Sequence, residues 1–177
     1  MSKIAVNEIT NEAGTGGPTL PNGVAGGLTL GGDLTLDTNG IYLGGTGSAN
    51  YLDDYEEGTF TPTVQTGTAS YLYAHYTKVG RLVNCGAVIT SFSDRSSSNT
   101  ILFALPFTSR SGARFKGTVV VRFMTNTENT TVVEIGDSDS FGNILVGSSG
   151  NYAALKHSDL SGTSSQFQFE ICYETDA

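Results

Sequence analysis

Histidine and cysteine, the usual partners in nucleophilic catalysis, are scarce in this chain. They are His75, His157, Cys85 and Cys172. A serine nucleophile also needs a histidine base and an orienting carboxylate, and the sequence contains no Gly-x-Ser-x-Gly elbow. We expect both histidines to be packed or hydrogen-bonding residues, and each cysteine to be a small buried apolar residue, since neither has a second ligand at metal-binding spacing. The sequence predicts no catalytic residue and no enzyme activity.

The densest acidic cluster is the run from Asp53 to Glu57. A glycosidase places two carboxyl groups from separate elements around a sugar, whereas neighbouring carboxylates on one segment repel each other and stay solvated. Hard divalent cations also prefer carboxylates, so a cation on this run, or on Asp137 and Asp139, is a second interpretation. An EF-hand loop would need Asp or Asn where Phe141 stands. We predict no metal site and no cofactor.

Carbohydrate binding without catalysis needs exposed aromatic rings beside polar side chains. The tyrosines of segment 71–76 and the polar loop from Ser93 to Asn99 offer both. The loop carries a carboxylate, a guanidinium and an amide, which are groups that bind sugar hydroxyls. The alternative is that the tyrosines are core or interface residues and that the loop is a solvated hairpin. The predicted ligand-binding residues are Tyr71, Tyr73, Asp94, Arg95 and Asn99.

The elements that must position these groups belong to a chain of 177 residues with a net charge of −8 and 23 glycines. This composition excludes a coiled coil or a helical bundle. An acidic surface does not condense on polyphosphate, so we predict no nucleic-acid partner. No window approaches about 18 consecutive apolar residues, and no export signal opens the chain, so we also predict no membrane insertion.

Residues 1–58 hold one cation, Lys3, and eight carboxylates. Short aliphatic pairs recur there between glycines and read as three-residue strands. One copy buries too little apolar surface to offset an ordering cost of ~1–2 kcal/mol per residue, so we predict a homotrimer in which three chains form a shaft. The alternative is a flexible glycine-rich linker. The predicted shaft residues are Leu28, Leu30, Leu34, Leu36, Ile41 and Leu43.

From Thr59 onward, short runs alternate apolar and polar residues between turn-rich segments. This period of two, with no helical period, predicts an all-β chain whose head is an antiparallel, jelly-roll-like β-sandwich. Pro62 marks the first run as an edge strand. The predicted domains are an anchoring segment over 1–25, a shaft and junction over 26–58, and a head over 59–177.

Several strings carry a family resemblance that spans nearly the whole chain. They are Met1 to Asn11, Gly17 to Gly23, Asn50 to Pro62, Tyr76 to Val83 and Leu105 to Ser109. Together with the string from Tyr173 to Thr175, they resemble fibre-type structural proteins of tailed bacteriophages, especially those that infect cyanobacteria. The string from Asn50 to Pro62 is the most specific of them.

The resemblance implies a virion protein, assembled in the host cytoplasm and usually trimeric, that attaches to another virion protein through residues 1–25. It also implies that the run from Asp53 to Glu57 is the joint between shaft and head. Three functions stay open: a short tail fibre whose head binds host surface polysaccharide, a structural capsid or baseplate decoration, and a depolymerase. The short fibre is the principal expectation, and the depolymerase is the least supported because no acid pair from separate elements is found.

Overall fold

The computed structural model describes residues 41–43, 51–52, 54–125, 131–148 and 151–176. The prediction of an all-β, antiparallel chain is confirmed: 57% of the structure is strand. In the described part, helical backbone is limited to a 3-10 turn at His157–Asp159. No helix among those residues is long and apolar enough to cross a membrane. The predicted anchor over 1–25 and the predicted shaft residues from Leu28 to Leu36 lie outside the described residues.

Two strands form a small ladder ahead of the main sheet, and nine form the main sheet itself. In chain order they are β1 (Ile41–Tyr42), β2 (Tyr51–Leu52), β3 (Tyr55–Thr59), β4 (Ser70–Val79), β5 (Leu82–Thr90), β6 (Leu102–Ala104), β7 (Phe115–Arg122), β8 (Thr131–Ile135), β9 (Phe141–Ser148), β10 (Asn151–Ala154) and β11 (Gln166–Glu174).

The main sheet closes on itself through hydrogen bonds. Its neighbours run β3-β4-β5-β11-β7-β8-β9, and β6 and β10 both pair with β9. The segment that follows β3 then reaches β6, because Val64 bridges Phe103 and the Gln65 amide donates to the Leu102 carbonyl at 3.1 Å. The stretch from Tyr55 to Gln65 therefore hydrogen-bonds β4 at its start and β6 at its end.

The core fills the space that this ladder encloses. Alternate residues of β5 and β11 point inward, as the period of two dictates, and Phe167, Phe169 and Tyr173 are almost fully buried. Phe103 of β6 packs on both phenylalanines, with ring centroids 5.3 and 4.6 Å away. Such aromatic contacts make this part of the core well packed.

The chain joins the main sheet at one end and turns through loops at the other. Tyr55 at the start of β3 pairs with Val79, beside the β4–β5 turn at Gly80, and we call this the Gly80 end. Thr90 pairs with both Ser70 and Gln166 at the opposite end of the same strands, which we call the Thr90 end.

The domain boundary predicted at residues 58 and 59 falls inside β3. Lys78, whose side chain is only 12% exposed, forms ion pairs with Asp54 and with Glu56, the latter at 3.8 Å. Its ammonium also lies 5.6 Å from the centre of the Phe107 ring. Asp54 and Glu56 of the acidic run thus bond the start of β3 to β4.

One cysteine differs from expectation. Cys85 is buried, but Cys172 is exposed, so the prediction that both are buried is wrong for Cys172. The register explains this, because Cys85 is opposite Ile171 on the core side of the sheet, while Cys172 is opposite Asn84 on the other side. The two thiols therefore point to opposite faces and are both free.

Candidate functional site

The predicted loop from Ser93 to Asn99 is held together by its own hydrogen bonds. The Asp94 carboxylate accepts the Ser97 hydroxyl at 2.5 Å and the Ser96 amide at 3.0 Å. These bonds lower the pKa of Asp94 to about 2, with the Ser97 hydroxyl as the largest cause. An aspartate that bonds residues two and three positions ahead is a turn-forming arrangement. The acceptor capacity of this carboxylate is thus largely used within the loop.

The other two predicted loop residues also bond inside the protein. The Arg95 guanidinium donates to the Phe92 carbonyl at 3.0 Å, and the Asn99 amide reaches the Thr66 hydroxyl at 3.4 Å. Beneath the loop, fully buried His157 places its Nδ1 3.1 Å from the Asp94 carbonyl. Because a carbonyl only accepts, Nδ1 carries the proton, and Nε2 has no hydrogen-bond partner among the described residues. These hydrogen bonds fix the conformation of the loop from Ser93 to Asn99.

The two predicted tyrosines lie on different faces of the sheet. Residues two apart on a strand normally share a face, but a bulge at Leu72 shifts the register between Tyr71 and Tyr73. Tyr71 is opposite Ile89, which belongs to the core cluster, whereas Tyr73 is opposite Val88, which is buried but lies on the other side of β5, outside that cluster. The structure does not bring these tyrosines together in one platform.

Tyr73 instead belongs to a row of side chains that crosses four strands. We call the outer face the side of β4, β5, β11 and β7 that points away from the core. The register aligns two rows across it, and residues that are directly opposite share a face. The rows are Tyr73, Val88, Gln168, Val120 and His75, Gly86, Glu170, Thr118.

Aromatic rings stand at one side of the outer face. Tyr73 is 39% exposed, and its ring lies 5.6 Å from that of His75. Gly86 lies between these rings and Glu170: a Cβ there would come within 3.0 Å of the Phe169 carbonyl oxygen and 3.1 Å of Glu170 Cγ, both tight contacts, and within 3.5 Å of His75 Cε1. The His75 ring and the Glu170 stem therefore approach each other above β5.

Polar groups form the middle of the outer face. Gln168 and Glu170 are exposed, and within the described residues neither side chain has a hydrogen bond or ion pair. Val120, in the same row as Gln168, is 63% exposed. The face thus offers an amide, a carboxylate and an apolar side chain to solvent.

Phe123 stands at the far margin of the outer face in a strained backbone conformation. Its φ of 54° is unusual for a bulky residue, and such strain costs about 1–3 kcal/mol. Alternation along β7 would point this residue inward, but the left-handed backbone turns it outward. The ring is 56% exposed, and the Arg122 guanidinium lies 5.3 Å from its centre.

The surrounding loop holds Phe123 in this conformation. The buried Ser165 hydroxyl donates to the Phe123 carbonyl at 2.5 Å, and the Ser161 amide donates to the same carbonyl at 3.1 Å. Strain that is held in place this way tends to occur at functional sites. The role of Phe123 is not evident from the sequence, because its backbone conformation depends on a loop some forty residues further along the chain.

In the described part of the chain, no group of three or more His, Cys, Asp or Glu side chains lies close enough together to hold a metal ion. Asp137, one member of the second acidic pair, accepts the Gly112 amide at 2.8 Å, and this bond lowers its pKa. Its partner, Asp139, accepts the Phe141 amide at 3.0 Å. Both carboxylates thus stabilise turns.

Comparisons with protein-family models, curated proteins and solved structures give no match to this chain.

Proposed function

We propose that the chain is a virion structural protein of a tailed bacteriophage, a short tail fibre whose head binds a host surface glycan. The observation that carries the proposal is the placement of the two ends of the head. The chain joins the sheet at the Gly80 end, whereas the loop from Ser93 to Asn99 and the Phe123 turn lie at the Thr90 end. A fibre that is attached through its N-terminal segment must present the opposite end of its head to the host.

The finer architecture belongs to the same proposal. Residues 1–25 attach to another virion protein, residues 26–58 form a trimeric shaft with the junction, and the head is a β-sandwich. The closed ladder of strands supports the sandwich, because it encloses one aromatic core between opposing parts of the sheet. Of the six predicted shaft residues, the structure describes Ile41 and Leu43, which are 38% and 55% exposed.

A non-enzymatic role fits the chemistry of the outer face. A glycosidase needs two carboxyl groups at a sugar-sized separation, and Glu170 is the one carboxylate in the two rows that define this face. Binding without hydrolysis needs fewer groups, namely aromatic rings and hydrogen-bonding side chains. The proposed head therefore holds a glycan without cleaving it.

Labelling of intact particles tests the virion assignment. Antibodies raised against residues 54–177 should decorate particles of the phage that encodes the chain, at a tail or baseplate position. A phage whose copy lacks residues 1–20 should lose the label, because the attachment segment is missing. Labelling that persists after this deletion would contradict the proposed attachment, and labelling confined to the capsid shell would favour a decoration protein.

A further inference from the structure

We propose that the outer face is a binding site for an extended, uncharged oligosaccharide, which lies across β4, β5, β11 and β7 from Tyr73 to Phe123. This inference rests on the proposed function, because it names the surface and the class of glycan that the head would bind. It assigns recognition to a surface other than the loop from Ser93 to Asn99.

The side chains of the outer face match the two kinds of surface on a sugar. A pyranose ring has an apolar C–H face and a rim of hydroxyl groups. The rings of Tyr73 and Phe123 offer flat apolar surfaces to solvent. Between them, the Gln168 amide both donates and accepts, and the Glu170 carboxylate accepts. An alternation of rings and hydrogen-bonding groups suits a sugar better than it suits a purely apolar molecule.

The spacing of the strands sets the length of the ligand. Three strand intervals separate β4 from β7, and neighbouring strands are 4.7–4.9 Å apart, so Tyr73 and the β7 side chains are separated by about 14 Å along the sheet. One monosaccharide cannot reach both margins. The site therefore selects a chain of several sugars, and monosaccharides should compete poorly for it.

The charges on the outer face favour a neutral chain. Residues 59–177 hold eight cations and nine carboxylates, so the head as a whole is nearly neutral, and the floor of the site carries the Glu170 carboxylate. Arg122 is the nearest cation at the Phe123 margin, where its guanidinium lies over the ring. A polyanion would be repelled by the Glu170 carboxylate in the floor of the site. Binding should consequently depend little on ionic strength between about 0.01 and 1 M.

Phe123 gives the strongest sign that this face is used. A bulky residue at φ 54° is costly to keep, and glycine would take the same backbone conformation without strain. The protein nevertheless places a largely exposed phenyl ring there and fixes its carbonyl with Ser165 and Ser161. Strain retained in order to expose a ring points to recognition and not to folding.

The loop from Ser93 to Asn99 is less suited to binding. Its carboxylate, guanidinium and amide all bond within the protein, so a ligand would have to replace those bonds. A ligand on the outer face would not have to replace internal hydrogen bonds, because the side chains of Gln168 and Glu170 bond to no described residue.

The test measures binding of the full chain to an array of purified bacterial capsular polysaccharides and lipopolysaccharide O-chains. Four variants are compared with the native protein: Tyr73→Ala, Phe123→Gly, the control Tyr152→Ala, and Asp94→Ala/Arg95→Ala/Asn99→Ala. Tyr152 is a matched control because it is 61% exposed and lies on β10, outside the outer face. Light scattering of each variant reports the oligomeric state, and thermal unfolding reports stability.

We expect the native protein to bind neutral polysaccharides. Tyr73→Ala and Phe123→Gly should each weaken this binding about tenfold or more, a loss typical of a truncated binding-site aromatic residue. Phe123→Gly should lose binding while remaining at least as heat-stable as the native protein, which a merely structural role would not produce. Tyr152→Ala and the triple loop variant should bind as the native protein does.

Three results would overturn the inference. Loss of binding in the triple loop variant alone would move the site to the loop and leave the proposed function standing. A change of oligomeric mass in Tyr73→Ala or Phe123→Gly would make the outer face an interface between copies of the chain. Absence of binding to every polysaccharide by the native protein would remove the glycan site, while particle labelling would still decide the virion assignment separately.

Discussion

At the scale of single residues, Asp94 links a local hydrogen-bond pattern to acid stability. Its pKa of about 2 in the folded protein lies below the ordinary value of 3.8. A lowered folded pKa contributes stability that is fully present above the unfolded pKa and disappears as the pH falls through the folded pKa. The contribution of Asp94 should therefore decline between about pH 4 and pH 2.

Comparison with Asp94→Asn isolates this effect from the other carboxylates. The difference in unfolding free energy between native protein and Asp94→Asn, measured by urea denaturation, should shrink as the pH is lowered across that range. An NMR titration of the native Asp94 carboxyl group should give its low pKa directly. A difference that stayed constant from pH 5 to pH 2 would contradict the proposed role of the Ser96 and Ser97 bonds.

Gly117 is a residue whose size is fixed by its neighbours. A Cβ at this position would lie 2.5 Å from the Glu170 carbonyl oxygen and 2.8 Å from Ile171 Cβ. Gly117→Ala should therefore force β7 away from β11 and destabilise the protein by about 1–3 kcal/mol. Gly162→Ala is the control, because nothing lies within 4 Å of a Cβ there. Equal midpoints of urea unfolding for the two variants would show that β7 and β11 accommodate the extra methyl group with no loss of stability.

At the scale of elements, the first strand of the head depends on Lys78. Its ion pairs with Asp54 and Glu56 join β4 to the start of β3, and partly exposed pairs of this kind contribute about 0–1 kcal/mol each. Lys78→Met should keep the apolar stem but release the strand, so amide hydrogen exchange across residues 55–59 should accelerate while exchange in β11 stays unchanged.

Arg110→Met is the matched control for this prediction. It removes another ion pair at the Gly80 end, Arg110 to Glu174 at 2.6 Å, without touching β3. Faster exchange in β3 should therefore appear only in Lys78→Met, and high salt should reproduce part of the effect in the native protein. Equal acceleration in both variants would point to a general loosening of the Gly80 end.

The sequence predicted some elements better than others, for physical reasons. The strands β5 and β11 were predictable because apolar residues alternate along them without a break, and both strands border the core. Strand β4 was harder, because the bulge at Leu72 puts Tyr71 and Tyr73 on opposite faces. No pattern of period two carries that information.

The candidate site likewise has one part that local sequence predicts and one part that depends on strand register. The bonding of Asp94 to the serines that follow it is a local signal, because aspartate in a Ser-rich segment commonly forms such turns. The outer face is a nonlocal feature, since Tyr73, Gln168 and Val120 come together only through strand register. The same holds for Cys172, whose exposure follows from its pairing with Asn84.

At the scale of the whole molecule, we expect a homotrimer. Ile41 and Leu43 keep substantial exposure in the single chain, and the sequence repeats the same aliphatic pairs ahead of them. Light scattering of the full chain at micromolar concentration should give three times the chain mass of 18.5 kDa. Ile41→Asp with Leu43→Asp should lower that mass, because charges cannot be buried between three chains. A native mass of one chain would end the shaft hypothesis.

The bridge between Val64 and Phe103, which closes the ladder of strands, affects how readily neighbouring molecules associate through their strand edges. An open strand edge presents unpaired amides and carbonyls that attract the edges of neighbouring molecules, and this is a common route to aggregation. Here the stretch from Tyr55 to Gln65 joins β4 to β6, and within the described part of the main sheet the short strands β3 and β10 keep one side each without a ladder partner. If the heads of the proposed virion protein are displayed densely on a particle, strand-edge contact between neighbours is limited to these two short strands.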